Sequence, residues 1–98
     1  MNLEGLLPLG SVILLKNSSK RLMVMGYLQQ ESETGKVWDY VGLPFPEGYM
    51  GSDRTYLFSH AQIERIFFIG FQDEEQFAFS AHLEKAVAEL RYVQDKES

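Results

Sequence analysis

The chain has 98 residues, 45% of them hydrophobic and 23% charged, with no cysteine. That length holds one domain, 1–98, and a core that needs no metal or disulfide staple. Disulfides, thiolate catalysis and cysteine-based zinc sites are excluded. Nine Lys and Arg against fourteen Asp and Glu leave a net charge of −5, and the basic residues are scattered, so nucleic acid is a poor partner.

In chain order, Met1-Asn2-Leu3-Glu4-Gly5 has an early Glu4 and no basic n-region. The longest apolar run, Val12-Ile13-Leu14-Leu15, is far too short for a signal-peptide core or a membrane span. The expectation is a cytoplasmic protein without membrane insertion. Ser11 to Lys16 reads as a first strand, closed by the turn formers Asn17-Ser18-Ser19. Arg21 to Gln29 is a second strand, paired with the first as a hairpin. A polar return over Gln30 to Lys36 leads to a third strand, Val37 to Gly42, of high β-propensity.

Leu43-Pro44-Phe45-Pro46-Glu47-Gly48 is expected outside strand and helix, because two prolines fix φ and remove backbone donors. Tyr49 to Phe58 has room for a short extended piece. Ser59 and Gln62 have capping-box spacing, which predicts a helical turn over His60 to Arg65. Ile66 to Phe71 is the expected fourth strand. Asp73 caps a C-terminal helix of about 73–94, with Gln76 three residues on and Glu74 and Glu75 complementing the dipole. Phe79, Leu83, Ala86, Val87, Leu90 and Val93 form its apolar stripe. The fold class is therefore α+β: an antiparallel meander of about four strands, flat or curled, with a helical turn and a C-terminal helix on one face.

Strict alternation turns Leu22, Val24, Gly26 and Leu28 one way and Arg21, Met23, Met25 and Tyr27 the other. Trp38 and Tyr40 likewise oppose Val37, Asp39 and Val41. One face meets the helix, which leaves Met and aromatic side chains on the other. Cover by the 43–58 segment or by curling of the sheet is the simpler arrangement. Cover by a partner is the functional one, because exposed Met and aromatic patches tend to bind. The candidate protein-binding residues are Met23, Met25, Tyr27, Trp38, Tyr40, Phe45, Pro46 and Tyr49. The stiff loop from Asp39 to Tyr49 has little entropy to lose on binding.

Signals for chemistry are weak. His60 and His82 have no second histidine at metal-ligand spacing, and no H-E-x-x-H occurs. Gly35-Lys36 fails as a phosphate loop, with Gln30 where a glycine is required and Val37 where Ser or Thr is required. No serine sits in G-x-S-x-G, and Asp73-Glu74-Glu75 lacks the alternating ligands of a calcium loop. No catalytic, cofactor-binding or metal-ligating residue is expected.

Three stretches carry a resemblance: Leu7-Pro8-Leu9-Gly10-Ser11-Val12-Ile13-Leu14-Leu15-Lys16, Leu22-Met23-Val24-Met25-Gly26, and Asp39 to Gly48. They resemble a small family of domains of unknown function from Gram-positive bacteria, common in type VII secretion loci near toxins with an LXG-type N-terminal targeting domain. The family pattern is an opening L-P-L-G-S-V, a strand ending in M-I-G, and a D-Y-x-G-x-P-Y-P-E-G loop. Phe58 to Ile63 and Ile66 to Phe71 fit its later F-x-x-x-x-I and V-x-x-x-G-Y/F passage, for coverage of about residues 6 to 76. Phe45 stands where Tyr is usual, so any role of that hydroxyl is lost.

The resemblance implies a non-enzymatic cytoplasmic accessory, a chaperone or targeting adaptor. Its partner would be a secreted toxin or the toxin's helical targeting domain. An immunity protein neutralising a toxin's C-terminal domain is the alternative, and a homodimer is compatible with either.

Overall fold

The computed structural model describes residues 5–97, and side chains for residues 5–90. Five strands follow in chain order: β1 (Val12–Leu15), β2 (Leu22–Gln30), β3 (Val37–Pro44), β4 (Tyr56–Phe58) and β5 (Ile63–Phe68). Short 3-10 turns at Ser52–Arg54 and His60–Gln62 precede β4 and β5, and α1 (Glu74–Glu97) follows. All pairings are antiparallel, in the order β4-β3-β2-β1-β5.

This order forces the sheet to curl. β4 and β5 are consecutive in the chain yet form opposite edges of the sheet. The five residue steps from Phe58 to Ile63, three of them in a 3-10 turn, reach well under about 18 Å. The outer strands of a flat five-stranded sheet would stand about 19 Å apart. The sheet therefore bends round a core and remains open, without closing into a barrel.

The core lies inside the curl. Leu7, Ile13, Leu22, Val24, Tyr40, Phe58 and Ile63 are buried there, with Leu6, Leu15, Tyr27 and Ile66 packed against them. Register brings them to one face: Ile13 opposes Leu22, Val24 opposes Gly42, and Tyr40 opposes both Tyr27 and Phe58. Gly42 makes this packing possible, since a Cβ there would stand 2.9 Å from Phe58 Cε1. Behind β1, the Ser11 hydroxyl donates to the Pro8 carbonyl and accepts from the Gly70 amide (2.8 and 3.0 Å). It ties the chain before β1 to the chain after β5.

Local signals behave as expected. Asn17, at φ 63°, sits in the turn after β1, where Ser18 N–H donates to Leu15 O. The Ser59 amide and hydroxyl both donate to Gln62 Oε1. Asp73 Oδ1 accepts from the Gln76 amide at the start of α1.

Three expectations need correction. The helical turn ends at Gln62, and the strand expected at Ile66–Phe71 starts at Ile63 and ends at Phe68. Its start follows the β1 ladder, where Leu15 pairs with Ile63. β3 runs on through Leu43 and Pro44 in a central strand, against the proline argument. Pro44 lies past the last β4 rung at Gly42, so its missing N–H falls where β3 has no β4 neighbour.

The third correction concerns the helix. Of its expected stripe, Leu83 is buried, Ala86, Val87 and Leu90 are half-buried, and Phe79 is exposed; Val93 lies outside the described side chains. The early part of α1 faces the segment Gly5–Pro8 and sets Phe79 against Tyr27, with ring centroids 6.1 Å apart and planes tilted by 54°.

Candidate protein-binding surface

The expected greasy face does not exist as one surface. A bulge between Val24 and Gly26 interrupts the alternation of β2. Before it, Met23 pairs with Leu43 on the outer face. After it, Gly26 pairs with Val41, and Tyr27 returns to the inner face opposite Tyr40. Met23 is half-buried and Met25, at the bulge, is exposed.

Tyr40 is no binding residue: its side chain is fully buried. Its ring stacks on Phe58 and on His60, at centroid distances of 5.1 and 5.8 Å. Its hydroxyl accepts from the Leu7 amide (2.8 Å) and lies 2.7 Å from His60 Nδ1. Burial pushes the Tyr40 phenol well above its ordinary value of 10.0. The phenol thus keeps its proton, and the imidazole tautomer sets whether it donates to His60 Nδ1 or accepts from it. The His60 amide in turn donates to the buried Asp39 carboxylate (2.8 Å). Burial also raises the Tyr27 phenol, whose O–H donates to the Leu7 carbonyl. Both tyrosines therefore anchor the segment before β1 to the sheet.

The remaining candidates are dispersed. Trp38 is half-buried; its Nε1–H donates to Glu31 (3.0 Å) and Lys36 Nζ lies 3.9 Å from its ring centroid. Phe45 lies beneath the Arg21 guanidinium at 5.0 Å, and Arg21 also reaches Phe67 (5.8 Å), which Arg65 approaches from 4.8 Å. Pro46 and Tyr49 are exposed, and the Phe45–Pro46 peptide is cis. Beside this loop Lys20 pairs with Glu47 at 2.6 Å and holds its carboxyl below the usual range. Such an exposed pair adds little to stability.

The dense exposed apolar region lies elsewhere, where β5 gives way to α1. Phe71 is 78% exposed, Phe77 57%, Leu9 52%, Phe79 48% and Ile69 47%. Leu9, Tyr27, Phe71 and Phe79 line one hollow together with Asp73 and Glu75. Ile69 and Phe77 line a second with Leu6, Leu7 and Pro8, and Gln76 belongs to both.

The sequence reading missed this region because it treated Phe71 as the end of a strand and Phe79 as core. A signal was present in Phe77, two residues from Phe79 and hence on another side of the helix from the apolar stripe. Among the described residues, no three His, Cys, Asp or Glu side chains converge as a metal site would require. No helix among them is long and apolar enough to cross a membrane.

No curated protein and no solved structure matches the chain. A family model described as a domain of unknown function, DUF4176, matches residues 6–79. That span holds the whole sheet, the Ser11–Gly70 tie and the start of α1 with its apolar surround, and over it the chain belongs to the DUF4176 family.

Proposed function

We propose that this domain works by binding another protein rather than by catalysis, as a cytoplasmic chaperone or targeting adaptor for a toxin exported by type VII secretion. The observation that carries the binding reading is the run of exposed apolar side chains at the β5–α1 junction. Large exposed apolar patches rimmed by polar groups mark interaction sites, and aromatic side chains are the commonest anchors of such sites. The link to toxin export rests on the resemblance of the Leu7–Lys16 and Asp39–Gly48 stretches to domains in LXG-toxin loci.

The net charge of −5 favours a second reading, an immunity protein covering a basic toxic domain. Co-purification with halves of the toxin from the same locus separates the two. An adaptor retains the N-terminal targeting half, and an immunity protein retains the C-terminal half. Rescue of cells from the isolated toxic domain would exclude the adaptor, and retention of neither half would sink both readings.

A further inference from the structure

We propose that the hollows flanking the start of α1 form a docking groove for a cationic amphipathic helix. This rests on the protein-binding reading and specifies the chemistry of the partner segment. The hollows measure about 440 and about 310 Å³ and share Gln76 as a common wall. Leu9, Phe71 and Phe79 wall the first, and Ile69 and Phe77 wall the second. Gln76 stands between them, with a buried Oε1 that meets no hydrogen-bond donor among the described residues.

Charge selects the occupant. Asp73 and Glu75 rim the larger hollow, on a chain already at −5. A second copy docked across a two-fold axis would bring a second acidic rim into the same interface and supply no cation at either rim from the groove itself. A segment carrying Lys or Arg beside apolar anchors is attracted instead.

Backbone chemistry selects the conformation. The groove is walled by side chains, and beyond its first turn the backbone of α1 is committed to its own helix. An extended peptide lying on phenylalanine rings would leave its own amides and carbonyls without partners there, at a cost. A helix satisfies its backbone internally and offers apolar anchors at i, i+3, i+4 and i+7 on one face, with Lys or Arg free to meet the acidic rim of the larger hollow.

The test uses the full chain and three labelled peptides of about 18 residues each. One is a Leu/Lys amphipathic helix, one a scramble of it, and one its Leu/Glu counterpart. The Leu/Lys helix is expected to bind at least about tenfold more tightly than the others. Its amide chemical-shift changes should gather at Leu9 and over Ile69 to Ser80. Phe71→Ala, at a side chain too exposed to hold the fold, should weaken binding at least about tenfold. Glu75→Gln should weaken it several-fold and flatten its salt dependence.

Equal binding of the three peptides, shift changes centred elsewhere, or unchanged affinity in Phe71→Ala would each overturn the groove. A doubled mass of the free chain in light scattering, reversed by Phe71→Ala, would assign the surface to a second copy. If the toxin co-purifies equally well with Phe71→Ala, the groove assignment fails while the protein-binding reading stands. If the wild-type chain retains no toxin, that reading fails whatever the peptides do.

Discussion

Replacing Gly70 with alanine should be among the most damaging single-methyl changes this protein can receive. A Cβ built there stands 2.8 Å from the Leu9 carbonyl carbon, closer still to its oxygen, and 3.2 Å from the Ser11 nitrogen. All three are backbone atoms, so no rotamer change can relieve the clash. The segment around Gly70 must move away from Leu9–Ser11, which removes the 3.0 Å bond from the Gly70 amide to Ser11 Oγ.

Overpacking of this kind costs about 1–3 kcal/mol, and a buried amide left unpaired costs about 1–3 kcal/mol more. Together they come to about 2–6 kcal/mol, a large share of the roughly 5–15 kcal/mol available to a domain. Urea unfolding monitored by circular dichroism measures the loss directly. The thermal midpoint should fall by more than about 8 °C. Ser11→Ala should cost about 1–3 kcal/mol by orphaning the same amide. Added to Ser11→Ala, the Gly70 change should then cost less than it does alone, because the shared bond is already gone. A Gly70→Ala protein within about 0.5 kcal/mol of wild type would refute the close approach of these two segments.

Three further outcomes follow from the same geometry. Tyr40→Phe keeps the ring but leaves the Leu7 amide and His60 Nδ1 without the hydroxyl between them. It should cost about 2–4 kcal/mol in urea unfolding, and a loss of toxin binding without loss of stability would contradict its place in the core. The second outcome is alkaline. Tyr27 and Tyr40 are both raised above 10.0 in the folded state, so the unfolded chain releases those protons first. Stability is intact below the unfolded value and falls as pH climbs past about 10; the urea midpoint should record this, with a shallower fall in Tyr40→Phe. Last, Asn17 has an exposed side chain and φ 63°. Asn17→Val should therefore cost about 1–2 kcal/mol and Asn17→Gly almost nothing, whereas equal effects would remove the left-handed turn as the cause.

The site was less legible in the sequence than the fold. Of the eight side chains expected at a binding face, Pro46, Tyr49 and Met25 are exposed, while Tyr40 is wholly enclosed and Tyr27 faces inward. Alternation assigned those faces correctly up to Val24. Beyond it the bulge at Met25 reversed them, and the one local hint is Gly26, since a glycine inside a strand often marks a bulge. The reversal arises because β2 places two residues against one of β3 between Gly42 and Val41.

Whatever depends on a few neighbouring residues was settled by the sequence alone: the turn at Asn17, the Ser59–Gln62 contacts, the Asp73 cap and the α+β class. These signals are backbone preferences and hydrogen bonds that close within one turn of chain. Which aromatics are core and which face water was decided by the curl, because β4 and β5 stand at opposite edges of the sheet but are joined by a connection too short to span it flat. That closure buries Tyr40 and Phe58 against each other, while Phe71, Phe77 and Phe79 lie where the chain leaves the sheet, and nothing among the described residues covers them fully.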